Sequence, residues 1–268
     1  MASPVAFIVI GVQLLIFIHT VAGASTEVKY SYQGKTGPAS WGSLSVDFAT
    51  CKTGKSQSPI NIETNKAVPN KMLKPLKREY TPANATLINH GYNIEMKFSN
   101  GAGPLIVDGK NYTFAQMHWH APSEHTINGV LYDAELHLVH KASDDSLTVI
   151  AILFKTGDAD PILAKVESKL AELAKEKCGS DEEPQIAVGS FPAWILRRNT
   201  RKYYRYVGSL TTPPCSENVL FHVFPVVRTI SKAQIEALKA PLLSTCKSNN
   251  RPVQPLNGRK VELFDELN

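Results

Sequence analysis

The stretch Gln116–His125, QMHWHAPSEH, gathers three histidines and a glutamate into ten residues of a chain that holds only 8 histidines in 268. On a β-strand successive side chains point to opposite faces, so His118 and His120 share one face while Trp119 lies on the other. Two imidazoles on one face suit a metal ion, and they also suit ordinary strand packing. The run AELHLVH, Ala134–His140, supplies a third ring: Glu135 and His137 share a face there, with Leu136 and Leu138 opposite. His140 falls on the far face of a regular strand and reads as a packed or surface histidine. Gln116 lies two residues before His118 and Glu135 two before His137, where each would accept the second ring N–H of a ligating histidine. Three neutral nitrogens with an open fourth position leave an ion its full charge, which draws bound water toward hydroxide near neutral pH.

Around these two segments the chain reads as short strands punctuated by turns. TLINHGYNIEMKF, PLIVDG, YTFAQMHWHA, LYDAELHLVH and LTVIAILFK are rich in β-branched or aromatic residues, and several alternate in polarity. Two helices stand out. Asp160-Pro161 starts the first, Ile162, Leu163, Val166, Leu170 and Leu173 form its apolar stripe, and Gly179 stops it. Ser231 with Gln234 makes a capping-box start for the second. No internal repeat or low-complexity linker marks a boundary. The expectation is therefore one mainly β domain, built on a sheet with a few peripheral helices.

A hydrophobic fraction of 43% with 20% charged residues is that of a globular chain. Val5–Ile18 is apolar and followed by Ala22-Gly23-Ala24, so residues 1–24 read as a secretory signal and 25–268 as the mature domain. The apolar run is short for a membrane span, although no Lys or Arg precedes it and an uncleaved anchor stays open. Four cysteines follow, Cys51, Cys178, Cys215 and Cys246, an even number that in an exported chain favours disulfides over metal thiolates. The sequons at Asn84 and Asn111 fit the same route. A formal charge of +5 implies solubility and a mild attraction to anionic surfaces. RRNTRKYYRY, Arg197–Tyr206, interleaves cations with tyrosines as nucleic-acid binders do. Export separates this chain from nucleic acid, so the segment reads as a solvated surface, with an acidic cell-surface polymer as the other partner.

His118-x-His120-x-x-x-Glu124 also matches the core of the cupin motif for manganese or iron. The expected glycine is misplaced, no second motif follows, and His137 has no role in that scheme. A fuller match lies elsewhere. QSPINI, QMHWHAPSEHTING, YDAELHLVH, YVGSLTTPPCSE and NNRPVQPLNGR together resemble the α-class carbonic anhydrases of the exported plant type, in that family's order and across nearly all of the mature chain.

The resemblance implies one domain around a large twisted, mostly antiparallel sheet, with the metal at the bottom of a conical cavity. It implies zinc held by His118, His120 and His137, with Gln116 and Glu135 behind them, and reversible hydration of carbon dioxide to bicarbonate by a zinc-bound hydroxide. Thr211 would orient that hydroxide, donating its own proton to Glu124, while Val139, Val149, Leu210, Thr212, Val219 and Phe221 would line the substrate pocket. Phe221 stands where the family usually has Trp, and Glu95 where many relatives have a neutral polar residue. The family's proton-shuttle position holds Tyr92, and a phenol with a pKa of about 10 relays poorly at neutral pH beside an imidazole near about 6.5. Turnover limited by proton export is the consequence, unless His90 faces the cavity and substitutes. Cys51 and Cys215 match the bridge of exported relatives, which leaves Cys178 and Cys246 to pair with each other or remain thiols. The resemblance also admits a lapsed relative serving as a storage or binding protein, and a route through the secretory pathway to the chloroplast instead of the exterior.

Overall fold

The alternation that aims His118, His120 and His137 to one side aims Met117, Trp119, Leu136 and Leu138 to the other, where all four are buried in the largest apolar cluster. A computed structural model describes residues 30–176, 183–197 and 201–267. The strand Lys110–His120 pairs antiparallel with Ala134–Lys141, setting His137 opposite His118 and Glu135 opposite His120. On the other side Lys110–His120 meets Ile94–Phe98, and Glu95 stands opposite His118. These strands belong to a sheet with twelve strands among the described residues. It is mostly antiparallel, with parallel pairing where Leu147–Thr156 meets Glu217–Ile230 and where Glu262–Asp265 meets Val68–Pro69. Leu147–Thr156 is apolar on both faces because it lies inside the sheet. Ile150, Ile152 and Phe154 feed the large core, while Val149, Ala151 and Leu153 feed a second cluster on the histidine side.

The first expected helix is interrupted. Asp160 caps it as anticipated, its side chain accepting from the backbone N–H of Ile162 and Leu163. The chain then makes a 3-10 turn at Leu163–Lys165, breaks at Val166 (φ −123°, ψ 5°), and is α-helical only over Glu167–Leu173. Ile162, Leu163, Val166, Leu170 and Leu173 are all buried, so the apolar stripe holds although a single helix does not. Asp160 is itself clamped by Arg228 and Gln234, which fixes where the chain enters; the tighter first turn seats Ile162 and Leu163 together from that point. Gly179 lies outside the described residues. The second helix, Lys232–Lys239, starts on the expected box: Ser231 Oγ accepts from the N–H of Gln234, and Gln234 Oε1 from that of Ser231.

Cys51 and Cys215 are joined by a disulfide that ties the N-terminal layer to the loop after the Lys202–Ser209 strand. Cys246 is buried and unbridged among the described residues, and Cys178 lies outside them. In the basic stretch, residues 198–200 also lie outside. Three of its described cations meet acids: Arg201 with Glu266, Lys202 with Asp265, and Arg205 with Asp108 and Glu262, while Arg197 is exposed. The sequon asparagines Asn84 and Asn111 are exposed.

Candidate metal centre

Neighbouring antiparallel strands bring the three rings together, with centroids 5.1 Å apart for His118 and His120, 5.2 Å for His118 and His137, and 4.8 Å for His120 and His137. Each ring spends one nitrogen on an acceptor. Nδ1–H of His118 donates to Gln116 Oε1 at 2.8 Å, Nδ1–H of His120 to the Asn249 carbonyl at 2.7 Å, and Nε2–H of His137 to Glu135 Oε1 at 2.7 Å. Three bare nitrogens remain, Nε2 of His118 and His120 and Nδ1 of His137. A ligand atom from each of the three rings lies within 4.8 Å of the others. Nε2 of His120 is buried with no hydrogen-bond partner, a cost that coordination would remove. Burial, reinforced by the neighbouring rings, holds His118 well below its usual pKa, and burial likewise lowers His120 and His137. All three are thereby kept neutral, the form that binds metal. The donor set fits zinc: three imidazoles, each with its second nitrogen anchored, and His118 only partly buried.

Glu135 is the hub beneath the rings. Its Oε1 accepts from His137 and from Nδ1–H of His125 at 2.6 Å, and its Oε2 accepts from the backbone N–H of Glu124 and of His125, both at 2.8 Å. Burial pushes its carboxyl up, but His125 and His137 outweigh burial and hold it well below the carboxylate range. His125, the third histidine of the opening stretch, therefore faces the hub and not the three bare nitrogens, and its Nε2 lies 2.7 Å from the Tyr206 hydroxyl. Glu124 is also buried. One oxygen accepts from the backbone N–H of Arg251 at 2.9 Å, and the other lies 3.5 Å from Nε2 of His120 with no donor in hydrogen-bond geometry. Burial pushes the Glu124 carboxyl up to about 7, opposed by His137, the Arg251 N–H and the nearby Thr211 hydroxyl.

The apolar candidates converge as well. Val149, Val219 and Phe221 are buried in one cluster with Val139 and Leu210 packed against it, and the Phe221 ring lies 5.8 Å from that of His137. Thr212 is partly buried, and its hydroxyl only weakly opposes the burial that raises the pKa of Tyr30 well above the usual phenol value. Tyr92 packs its ring on Tyr30 at 4.7 Å and on His90 at 5.5 Å. His140 is not part of the site. Ala115 bulges out of the Lys110–His120 strand, and His140 is buried against Phe114 with Nε2 2.6 Å from the Tyr80 hydroxyl.

Sequence reasoning missed Asn249, which anchors His120 through its carbonyl and, through its side chain, holds Ala121, Tyr92 and Trp119. It missed Arg251 too, whose guanidinium, buried against Trp41, binds Gln57 and the carbonyls of Ser58 and Cys51. Their shared signal was the polar block NNRPVQPLNGR, which carries chemistry in a segment without strand periodicity.

A mostly antiparallel sheet carrying three anchored histidines on neighbouring strands defines a class of proteins with a candidate metal centre, and the comparisons name the family. The model of the eukaryotic-type carbonic anhydrases matches residues 36–264. Alpha carbonic anhydrase 7 of Arabidopsis thaliana is 40% identical over 238 residues, covering 89% of this chain and 85% of that one. Dioscorin DB3S of Dioscorea polystachya is 34% identical over 247 residues, covering 92% and 90%. Among solved structures, dioscorin complexed with ascorbate superposes with a TM-score of 0.84 at 34% identity, covering 88% of this chain and 98% of that one. The α-carbonic anhydrase of Thermovibrio ammonificans, complexed with the inhibitor sulfanilamide, gives 0.77 at 39% identity, covering 88% and 99%. This chain belongs to the eukaryotic-type carbonic anhydrase family.

Proposed function

We propose that this chain is an active carbonic anhydrase, catalysing the zinc-dependent reversible hydration of carbon dioxide to bicarbonate and a proton. The observation that carries the reading is the convergence of three bare nitrogens, one each from His118, His120 and His137, with every opposite nitrogen donated to an acceptor. Zinc bound there supplies positive charge that acidifies a water and yields hydroxide at neutral pH. The chain's own residues do the rest. Thr211, beside Glu124, accepts the hydrogen of the attacking oxygen while donating its own to the carboxylate, which leaves a lone pair aimed at carbon. Val139, Val149, Leu210, Val219 and Phe221 offer an apolar wall to a substrate that hydrogen bonds barely hold, so catalysis rests on placement.

The likeness to dioscorins supports a second reading, a storage or binding protein with a weakened site. Sulfonamide-sensitive hydration in a stopped-flow assay, run beside zinc analysis, separates the two. Hydration with one zinc per chain is expected. One zinc per chain without hydration overturns the enzyme reading in favour of binding.

The secretory route, with residues 1–24 removed, belongs to the same proposal. The Cys51–Cys215 bridge and the exposed Asn84 and Asn111 support it. No helix among the described residues is long and apolar enough to cross a membrane.

A further inference from the structure

Each hydration leaves one proton to be expelled, and the turn Asn89–Asn93 holds the groups suited to that task. The Asn89 side chain accepts from the Gly91 N–H at 2.8 Å, Gly91 takes a positive φ of 78°, and the His90 N–H donates to the Asn93 carbonyl. The fold of this turn packs Tyr92 among Tyr30, Trp41 and Tyr32 and leaves His90 between two carboxylates. On the inner side, Nε2 of His90 lies 3.4 Å from Glu95 Oε2. Glu95 is the strand partner of His118 and so projects from the same side of the sheet as the three rings. On the outer side, Nδ1 lies 2.5 Å from Glu183 Oε1, and Glu183 is half exposed to solvent. Nε2 itself is buried and makes no hydrogen bond.

An ordinary surface ion pair would turn the ring outward and contribute little. Here the ring spans from a carboxylate on the His118 side of the sheet to a solvent-facing one, with its inner nitrogen buried and not hydrogen-bonded. We propose that His90 is the proton relay of this chain, receiving a proton at Nε2 from the cavity side and releasing the Nδ1 proton to Glu183. The inference rests on the carbonic anhydrase reading above. The balance closes: a neutral ring protonated on Nδ1 becomes imidazolium, the Nδ1 proton passes to Glu183 and then to bulk water, and a neutral ring remains. Rotation of the ring, or exchange with water, resets the tautomer. Glu95, 3.4 Å from Nε2, positions the ring. The groups facing His90 are Glu95, Glu183 and the stacked Tyr92, and a charge on His90 disfavours one on His118. Burial disfavours its charged form, but the two carboxylates outweigh burial and raise its pKa above the usual imidazole value.

The test uses the zinc-loaded full chain. In weak buffer of a bulky base, H90A lowers kcat about 10-fold or more, leaves kcat/KM unchanged, and is restored by added imidazole. H90Q, which hydrogen-bonds but does not titrate, behaves like H90A. A readout independent of turnover is the ring-nitrogen NMR of His90, assigned by its loss in H90A: Nδ1 carries the proton at high pH, and the titration midpoint falls in E183Q. Unchanged kcat in H90A and H90Q, or a His90 ring protonated on Nε2 alone, overturns the relay while leaving the carbonic anhydrase reading intact. Loss of zinc or of kcat/KM in both variants shows a structural role and also overturns it. A wild-type chain with no hydration overturns both proposals.

Discussion

Replacing Glu135 with Gln tests whether the hub under the rings fixes the metal-facing nitrogens. The carboxylate takes four donors, two ring N–H groups on one oxygen and two backbone N–H groups on the other. An amide can satisfy only one of these edges. With its NH2 toward the backbone, two buried N–H groups lose their acceptor, costing about 1–3 kcal/mol each, or about 2–6 kcal/mol in all. With its NH2 toward the rings, the backbone stays satisfied but His125 and His137 must exchange tautomers. His137 then carries its proton on Nδ1, the nitrogen that faces the other two rings, and metal can bind only after displacing it. The second arrangement still turns charge-assisted bonds into neutral ones, at about 2 kcal/mol or more in total. Glu135→Gln is therefore expected to lower zinc affinity about 10–100-fold. It should also lower the Tm of the metal-free protein by about 4 °C or more. Competition with a fluorescent chelator gives the affinity, and calorimetry gives the Tm. Wild-type zinc affinity together with an unshifted Tm would refute the tautomer argument.

Thr211→Ala should reduce kcat/KM about 100-fold with zinc content unchanged, because only the orientation of the attacking oxygen is lost; a drop within 3-fold, read by stopped flow, would remove Thr211 from the reaction. Reducing the Cys51–Cys215 bridge, which closes 164 residues of sequence, should cost about 5 kcal/mol on the chain-entropy account and appear as a lower urea midpoint. An unchanged midpoint would mean the reduced, unfolded chain gains no freedom. Burial pushes His140 and His222 down to about 3, so between there and about 6.5 the unfolded chain binds protons that the folded chain refuses. Their neutral forms thus contribute stability that is complete above about 6.5 and lost as the pH falls, by up to about 1.4 kcal/mol per pH unit for each ring. Denaturation of the metal-free protein from pH 7 to 4 measures the slope, and His222→Gln should flatten it; equal slopes in both proteins would contradict the burial argument.

The face of the site was legible because a strand alternates with period two. That period set His118 with His120, placed Gln116 and Glu135 on the same faces as the rings they anchor, and turned Leu136 and Leu138 into the core. Partners that act through backbone were not legible. The Asn249 carbonyl reaches His120 across 129 residues of sequence, and a carbonyl carries no side-chain signature. Glu95 shows a related limit: alternation alone left its side of the sheet undecided until register with His118 settled it. The broken start of the first helix was hidden for a different reason, since an apolar stripe reports which residues are buried and not whether the turn is 3-10 or α.

The most direct test of the central claim is zinc K-edge absorption on the reconstituted chain. One zinc per chain is expected, with three imidazole nitrogens at about 2.0–2.1 Å and one light oxygen ligand. Sulfur ligation, fewer than three imidazoles, or no tightly held zinc would contradict the account.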